Sequence, residues 1–387
     1  MRVYLDNNST TKVDPKVIEA MVPFFDQYYG NPSNLHYFGR KAKEAVEQAR
    51  EKVAQLINAT ASEIIFTANG TEANNLAIKG ILKTTKQPKP KIITSSIEHS
   101  SIRNTLSVLQ QSQQAEIVEL SVDEYGVVNL EELKQKIDER TVLVTVMHCN
   151  NEVGTIEPIQ EIATIAHKYN AYFLTDAVAS VGKLPIDVKS LDIDMLTLSG
   201  HKIHGPKGIG ALYLKDGINL APLIVGGGQE RHLRAGTENV PGIVGLGVAC
   251  ELALAEIKSN IPKQIETLRN YLEEQIKNQI PEIKINGHPT NRVCNVLNIS
   301  VAYVEGESVL MNLDLEGIAV ASGSACASAK SEPSHVLKAM NVPDKFINSP
   351  VRFSLSKYTT KEEIDYTIEK LITVIKRLRA ISPLWKG

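Results

Sequence analysis

Apolar runs of strand length alternate with longer amphipathic runs from about residue 41 to residue 257. The strand-like runs are EIIFTA, KIITSS, AEIVEL, TVLVTVMH, AYFLTD and DMLTLSG, and the helix-like runs include LEELKQKIDE and IQEIATIAHKYN. Short apolar runs separated by segments of helical periodicity are typical of strands that alternate with helices. This alternation favours a parallel sheet covered by its crossover helices. The sequence therefore predicts an α/β fold with a mainly parallel central sheet.

The pattern changes after residue 257. A long amphipathic segment, KQIETLRNYLEEQIKNQI, leads to shorter strands such as VCNVLNISV and VRFSLS, and a further helix-like segment follows them. We therefore predict a large α/β domain over 15–257 and a smaller α+β domain built from 1–14 and 258–387. The smaller domain would carry a cysteine-containing loop at about 321–334.

Charge and hydropathy indicate neither a nucleic acid nor a membrane as partner. Lys and Arg (42) nearly balance Asp and Glu (44), and no polybasic block occurs. The N-terminal MRVYLDNNSTTKVD lacks the cationic and apolar parts of a signal peptide, so a cytoplasmic location is expected. The apolar stretch 240–257 contains Glu251 and Glu256, which favours a buried or dimer-packed helix over a membrane span.

The four cysteines are Cys149, Cys250, Cys294 and Cys326, and they form no CxxC pair and no paired spacing with histidine. Neither a disulfide framework nor a metal site is predicted. Cys250 and Cys294 lie in helix-like and strand-like apolar patterns and are expected in the core, whereas Cys149 could belong to the core or to a site. Cys326 lies in ASGSACASAKSEPS, which predicts an exposed, mobile loop. We favour a nucleophile there over an inert thiol.

Polar residues directly follow the predicted strands, in NGTEANN, EHSS, HCNNEVG, DAVAS and SGHK. Ligands of α/β sheets bind beyond the carboxyl ends of the strands, so Asp176 and Lys202 would meet there. A carboxylate that keeps a pyridine nitrogen protonated and an amine that holds an aldehyde are the contacts that pyridoxal phosphate most requires. The alternatives are a helix cap for Asp176 and an ion pair for Lys202.

A phosphate could be held close to Lys202. Gly70 and Thr71 follow a strand and open a helix, where free N–H groups and the helix dipole favour an anion. Ser199 and His201 flank Lys202 and could add side-chain donors. The βα turn is a weak signal alone, because many such turns contain glycine and threonine.

Two further residues have both a chemical and a structural interpretation. His99 could stack on a cofactor ring and transfer protons, or it could be an ordinary turn histidine. Arg352 in VRFSLS could hold a substrate carboxylate through two hydrogen bonds, or it could form a surface salt bridge. The residues alone leave both pairs of alternatives open.

With these residues assembled, the chain resembles the cysteine desulfurases of the NifS/IscS type, which belong to the class V aminotransferases and to fold type I of the pyridoxal-phosphate enzymes. The resemblance runs nearly end to end, and its motifs occur in the family's order: YLDNNSTT, GNPSNLH, FTANGTEANNLAIKG, EHSS, NNEVGT, SGHKIHGPKGIGALY, RAGTEN, YVEGES, SGSACASA and RFSLSKYTTKEEIDYTI. It implies the fold type I architecture, pyridoxal 5'-phosphate as cofactor and L-cysteine as substrate.

The resemblance also implies a role for each cofactor residue. Lys202 would bind the aldehyde as a Schiff base, Asp176 would pair with the pyridine nitrogen, and His99 would stack on the ring and move protons. The phosphate would be held by Thr71, Ser199 and His201, and by Thr237 lent from the other subunit of a homodimer.

For the substrate, the resemblance implies that Asn151 and Arg352 grip the carboxylate of L-cysteine. Cys326 would attack the substrate sulfur, leaving alanine and a persulfide on the enzyme. The persulfide would pass to an iron–sulfur scaffold protein, to a tRNA-thiolation protein or to both.

The chain departs from the family at Ala179, where related enzymes usually have a glutamine that contacts the phenolic oxygen of the cofactor. This departure puts in question the absorbance or pKa of the bound cofactor rather than the presence of the cofactor. The alternatives are a selenocysteine lyase or a related lyase that does not strictly need Cys326, a plain aminotransferase, and a binding module that kept the fold without activity.

Overall fold

The structure is a computed structural model that describes residues 1–323 and 333–386. Its strands are β1 (Val3–Tyr4), β2 (Ile64–Thr67), β3 (Lys91–Ser95), β4 (Glu116–Leu120), β5 (Thr141–Thr145), β6 (Tyr172–Asp176), β7 (Met195–Ser199), β8 (Gly210–Leu214), β9 (Ile283–Asn286), β10 (Val296–Val301), β11 (Ile318–Ala319) and β12 (Pro350–Ser354). Its helices are α1 (Pro15–Met21), α2 (Pro23–Asp26), α3 (Tyr37–Leu56), α4 (Gly70–Thr84), α5 (Ser100–Gln111), α6 (Leu130–Lys136), α7 (Ile159–Lys168), α8 (Val240–Ile257), α9 (Ile261–Gln279), α10 (Gly306–Leu315), α11 (His335–Ala339), α12 (Asp344–Ile347) and α13 (Lys361–Ile381). Short 3₁₀ turns occupy Ala61–Glu63, Gly200–Lys202 and Gln229–His232.

The central sheet has seven strands in the order β2-β8-β7-β6-β5-β3-β4. The neighbours from β7 to β4 are parallel, and β8 is antiparallel to both β7 and β2. All strands except β8 therefore point the same way, which confirms the predicted mainly parallel sheet. The prediction missed β8, because this strand follows β7 after a short loop instead of a crossover helix.

Both faces of the central sheet are buried. In β2, Ile64 and Phe66 join a core cluster with α3, α7 and α8, whereas Ile65 joins a separate cluster with α4 and α5. In β6, Phe173 joins the first of these clusters and Leu174 joins the second. Successive side chains of a strand point to opposite faces, so strands covered on both sides must be apolar throughout. This is why the strands appear as continuous apolar runs in the sequence.

A three-stranded antiparallel sheet, β12-β10-β9, contains the remaining longer strands. It packs with α9, α10 and α13 in a further core cluster. The N-terminus joins this part of the molecule, because β1 pairs with β11 and the amide of Asn7 donates to the Ser354 carbonyl. The division into one domain over 15–257 and another over 1–14 and 258–387 stays a prediction.

Within the described ranges, α8 alone is long and apolar enough to cross a membrane by length and composition. Half of it is buried inside the protein (50%), and core helices of soluble proteins meet the same criterion. Its glycines allow close packing: a Cβ at Gly247 would lie 2.7 Å from the Cα of Ala49 in α3, and one at Gly245 would lie 2.7 Å from Met21 Sδ. These contacts support the interpretation of α8 as a packed core helix.

Candidate active site

A cavity of about 220 Å³ lies at the carboxyl ends of the central strands. Its lining includes most of the residues proposed from the sequence: Gly70, Thr71, His99, Asn151, Asp176, Ser199, His201, Lys202 and Arg352. It also includes residues with no role in the sequence analysis, namely Asn8, Ser9, Asn69, Asn74, Ser101, Met147 and Val178. The shared edge of parallel strands explains why side chains far apart in sequence meet here.

Lys202 ends the short 3₁₀ turn Gly200–Lys202 that follows β7. Its ammonium donates to the backbone carbonyl of Ser9 at 2.8 Å and to that of Asn8. Burial, together with the positive charges of Lys183 and Arg352, lowers the pKa of Lys202 to about 8. A substantial fraction of the amine is therefore neutral near physiological pH, as a nucleophilic amine requires.

Asp176 ends β6 and is buried. Its carboxylate accepts hydrogen bonds from Asn74 Nδ2 at 2.8 Å and from the amide of Val178 at 3.0 Å. Asn74 also donates to Ser101 Oγ at 2.9 Å. These donors fix the orientation of the carboxylate. Asn74 was not predicted as a site residue, although its position four residues after Gly70 places it on the same face of α4.

His99 caps the N-terminus of α5. Its Nδ1 accepts the amide of Ser101 at 3.2 Å and lies 2.8 Å from Ser101 Oγ. Because Nδ1 accepts a backbone N–H, the proton of the neutral ring belongs on Nε2. Burial lowers the pKa of His99, and the negative charge of Asp176 opposes this shift while Lys202 adds to it. His99 is thus a neutral imidazole between a carboxylate and an amine.

The start of α4 and the end of β7 form a cradle suited to an anion. Ser199 Oγ is buried and has no hydrogen-bond partner in the part of the chain that the structure describes. At Gly70 a Cβ would lie 2.7 Å from Val178 Cγ2. Val178 can therefore pack this closely against the first turn of α4 only because residue 70 is glycine. Thr71 follows it, where helix N–H groups are free. An unpaired hydroxyl and free amides fit a phosphate.

His201 completes the cradle beside Lys202. Its Nδ1 lies 3.2 Å from Thr10 Oγ1. Burial, reinforced by the charges of Lys202 and Lys207, lowers the pKa of His201 to about 4. The ring is therefore neutral at physiological pH and can donate a hydrogen bond to an anion without adding a full charge.

Arg352 lies in β12 with only 2% of its surface exposed, which argues against the surface salt bridge considered from the sequence. Its guanidinium donates to the Asn151 carbonyl at 3.0 Å, to Asp6 Oδ1 at 2.9 Å and to Ser9 Oγ at 2.9 Å. Its Nε is buried without a partner among the described residues. The cation is thereby held at the wall of the cavity, next to Asn151.

One predicted site residue, Thr237, is not brought into the cavity of this chain, and another, Cys326, is not among the described residues. Thr237 lies in an exposed segment before α8 and is not part of the lining. Cys326 lies outside the described residues, so its predicted role as nucleophile stays a prediction.

The remaining cysteines lie in three different environments. Cys250 is buried in α8, as predicted. Cys149 is buried in the cavity wall, and burial raises the pKa of its thiol to about 12, which disfavours the reactive thiolate. The prediction that Cys294 lies in a strand is wrong: it occupies a turn before β10, which begins only at Val296, and it is partly exposed.

Across 1–323 and 333–386, no group of three His, Cys, Asp or Glu side chains is placed to hold a metal ion. The described cavity instead combines an amine, a buried carboxylate, a neutral imidazole and an anion cradle. Together with the mainly parallel sheet, this set is typical of α/β enzymes that bind a small ligand at the carboxyl ends of the strands.

The model of the aminotransferase class-V family matches residues 3–367, and the chain belongs to this family, whose members depend on pyridoxal phosphate. A protein named cysteine desulfurase IscS from Dictyoglomus turgidum is 48% identical over 99% of this chain and 98% of its own length. A cysteine desulfurase IscS from Methanosarcina thermophila is 47% identical over 99% of this chain and 94% of its own length. The resemblance stated from the sequence motifs is thereby confirmed.

Solved structures agree with this assignment. One described as a NifS-like protein superimposes with a TM-score of 0.92 at 39% identity, covering 98% of this chain and 100% of that chain. Another, described as SspA in complex with cysteine, has a TM-score of 0.81 at 36% identity and covers 92% of this chain and 100% of that chain. The predicted fold type I architecture is confirmed.

Proposed function

We propose that this protein is a pyridoxal-phosphate-dependent cysteine desulfurase that removes sulfur from L-cysteine and releases L-alanine. The observation that carries the proposal is the meeting of Lys202, Asp176 and the α4 anion cradle in one cavity. The alternatives considered from the sequence do not account for these two residues, since Lys202 forms no ion pair among the described residues and Asp176 caps no regular helix. The curated relatives named cysteine desulfurases support the same activity.

Each part of the cofactor has a matching group in the cavity. Lys202 would hold the aldehyde, Asp176 would pair with the pyridine nitrogen, and His99 would stack on the ring. The first turn of α4 with Gly70 and Thr71 would hold the phosphate together with the side chains of Ser199 and His201. When bound, pyridoxal phosphate supplies a protonated ring that withdraws electrons from the substrate's α-carbon.

The substrate is oriented by its carboxylate. Arg352 faces the cavity next to Asn151 and would pair with the carboxylate of L-cysteine, a ligand named in the structure of SspA. Lys202 and His99 line the same cavity. The Lys202 amine and the Nε2 of His99 move protons between the α-carbon and the β-carbon of the substrate.

The sulfur leaves as a persulfide on Cys326. The Cys326 thiolate attacks the substrate Sγ, the bond between Cβ and Sγ breaks, and its electron pair stays with the carbon fragment. Protonation of this fragment gives alanine, and the extra sulfur remains bound to Cys326. An acceptor then takes the sulfur, and an iron–sulfur scaffold protein or a tRNA-thiolation protein has the required chemistry.

The protein acts as a homodimer in the cytoplasm, and Thr237 of each chain reaches the phosphate of the other. Thr237 is exposed and is absent from the cavity lining of its own chain, and both observations support this arrangement. Mixing Lys202→Ala with Thr237→Ala chains tests it, because a mixed dimer contains one site with both wild-type residues. Activity above that of either variant alone is expected, and no gain on verified mixing would contradict the arrangement.

The activity is tested by measuring alanine and sulfide released from L-cysteine with a thiol reductant. The wild-type protein, loaded with pyridoxal phosphate, is expected to release both. Lys202→Ala is expected to lose the visible absorption band and the activity. Release of alanine from L-selenocysteine but not from L-cysteine would instead identify a selenocysteine lyase, and amino transfer to an α-keto acid would identify an aminotransferase.

A further inference from the structure

Three side chains bind the backbone of β2, which lies at the edge of the central sheet. Glu230 accepts the amide of Phe66 at 2.8 Å. The Ile64 carbonyl accepts hydrogen bonds from Arg50 at 3.0 Å and from Arg231 at 2.7 Å. A strand at a sheet edge presents unpaired N–H and C=O groups, so these contacts take the place of a further strand. They also attach the loop between β8 and α8 to the sheet.

Glu230 and Arg50 form a buried ion pair within this group. The two carboxylate oxygens of Glu230 accept from Arg50 Nη1 at 2.7 Å and from Arg50 Nη2 at 2.8 Å. Only 7% of the surface of Glu230 and 6% of that of Arg50 is exposed. A bidentate contact between a guanidinium and a carboxylate fixes direction as well as distance. Glu230 is therefore held by the sheet edge and by α3 at the same time.

The backbone of the loop is strained at Glu230 and at the two residues after it. Glu230, Arg231 and His232 have φ values of 45°, 56° and 65°. This left-handed region favours glycine, and side chains with a Cβ adopt it at a cost. Such strain persists only where the surrounding contacts impose it, and it is concentrated at functional sites. The ion pair of Glu230 and the contact of Arg231 with β2 impose it here.

The strained residues lead directly to Thr237, and the chain between them is also held in place. Gln229 Oε1 accepts the amide of Gly236 at 3.1 Å. Arg234 pairs with Glu72, in the first turn of α4, at 2.9 Å. Thr237 follows as an exposed residue, and α8 begins shortly after it. The position of this exposed hydroxyl is therefore set by contacts that begin at Glu230.

We propose that Glu230, held by Arg50, is a positioning residue that acts through Thr237: it keeps the loop in the strained conformation that presents Thr237 to the phosphate bound by a second copy of this chain. The inference rests on the proposed sharing of Thr237 between the two chains of a homodimer. Glu230 does not line the active-site cavity, so its effect passes through the loop. Without the ion pair, the backbone can relax toward ordinary φ values, and the Thr237 hydroxyl moves with it.

The test uses two mixed dimers that each contain one intact Lys202 and are purified through a different affinity tag on each chain. In the first dimer, one chain carries both Lys202→Ala and Glu230→Gln and the other is wild type, so the intact lysine works with Thr237 of the variant chain. In the second dimer, one chain carries Lys202→Ala and the other carries Glu230→Gln, so the intact lysine works with Thr237 of a chain that keeps Glu230. The visible band that forms at the intact lysine is titrated with pyridoxal phosphate and with pyridoxal.

We expect the first dimer to bind pyridoxal phosphate about tenfold more weakly than a reference dimer that carries Lys202→Ala alone in one chain, as for the loss of one charge-assisted hydrogen bond. The second dimer should bind it as tightly as the reference, and pyridoxal, which lacks the phosphate, should bind equally to all three. Undiminished binding of pyridoxal phosphate to the first dimer would overturn the proposal. An equal loss in both dimers would overturn it as well, because Glu230 would then act within its own chain.

Two controls accompany these dimers. Glu251→Gln, in place of Glu230→Gln, breaks a more exposed ion pair with Lys52 of α3 and should leave the affinity unchanged. Thermal unfolding verifies that each dimer is folded. If Glu230→Gln does not fold, Arg50→Met combined with Glu230→Met removes both charges of the buried pair, and the same tenfold loss is expected in the first dimer.

A further dimer separates this inference from the arrangement on which it rests. One chain carries Lys202→Ala and Thr237→Ala, and the other is wild type. If pyridoxal phosphate binds to this dimer as tightly as to the reference, or if the chains do not associate, the sharing of Thr237 and the role of Glu230 both fail. If binding is weakened here but not in the first dimer, only the role of Glu230 fails.

Discussion

At the scale of single residues, the site depends on side chains held by distant parts of the chain. Lys202 donates to carbonyls of Asn8 and Ser9, which lie more than 190 positions earlier in the sequence. Arg352 is held by Asp6 and Ser9 from the same N-terminal segment. The N-terminal segment therefore orients both the amine and the guanidinium. The sequence analysis listed YLDNNSTT as a motif but could not assign these contacts, because they arise only from tertiary packing.

Ala179 is the residue at which this chain departs from its family, and it is 8% exposed beside Cys149, Val293 and Val296. In Ala179→Gln the added amide can donate to the cofactor's phenolic oxygen. We expect a shift of the visible absorption maximum or of its titration midpoint. The measurement is a pH titration of the visible spectrum of the loaded protein. Ala179→Met controls for side-chain volume, since it adds no donor, and identical titration curves for Ala179→Gln and the wild type would contradict the expectation.

At the scale of elements, the ends of strands and the starts of helices carry the site. Asp176 ends β6, Ser199 ends β7, and α4 and α5 begin directly beside the cavity. Asn69 caps α4 by accepting the amide of Glu72 at 2.9 Å, which leaves the earlier amides free for an anion. Helix dipoles and free amides both favour negative charge at this point.

Gly70→Ala tests the α4 cradle, because the new Cβ would lie 2.7 Å from Val178 Cγ2. We expect the affinity for pyridoxal phosphate to fall roughly tenfold, as expected for the loss of one charge-assisted hydrogen bond. Binding of pyridoxal, which lacks the phosphate, should fall less. The two dissociation constants are measured by fluorescence titration. Gly80→Ala, later in the same helix, is the control, and equal losses for both ligands would show that α4 does not hold the phosphate.

Much of the secondary structure could be predicted from the sequence. Strands covered on both faces form continuous apolar runs, and polar residues directly after them predict a shared sheet edge. This explains why Asp176, Lys202 and His99 were expected at one edge of the sheet, where all three line a single cavity. The strand β8 could not be predicted, since it depends on a reversal of the chain after β7. Cys294 was misplaced because apolar content alone does not mark the residue at which a strand begins.

At the scale of the whole molecule, buried carboxyl groups couple stability to pH. Glu98 is fully buried, and burial raises its pKa from 4.5 to about 8 although Ser95 and the amide of Met147 donate to it. The folded chain therefore holds this proton more tightly than the unfolded chain does. The resulting stabilisation is complete below about pH 4.5 and is lost as the pH rises through about 8. Burial raises the pKa of Glu157 to about 8 as well.

Glu98→Gln keeps this position neutral at every pH. We expect the free energy of unfolding to fall less steeply between pH 5 and pH 8 in this variant than in the wild type. This pH range follows from the raised pKa of Glu98. Urea denaturation at a series of pH values measures the difference. Glu131→Gln, on the exposed surface of α6, is the control. If the free energy of unfolding changes with pH as steeply in Glu98→Gln as in the wild type, Glu98 does not titrate in this range.

In the proposed reaction the protein both activates L-cysteine at Lys202 and receives its sulfur at Cys326. The most direct test mixes cofactor-loaded protein with L-cysteine in the absence of reductant, then measures alanine and the mass of the peptide containing Cys326. We expect alanine together with a mass increase of one sulfur atom at Cys326, neither of which should appear in Lys202→Ala. Alanine formed at the wild-type rate in Cys326→Ala, or sulfur found on a different residue, would contradict it.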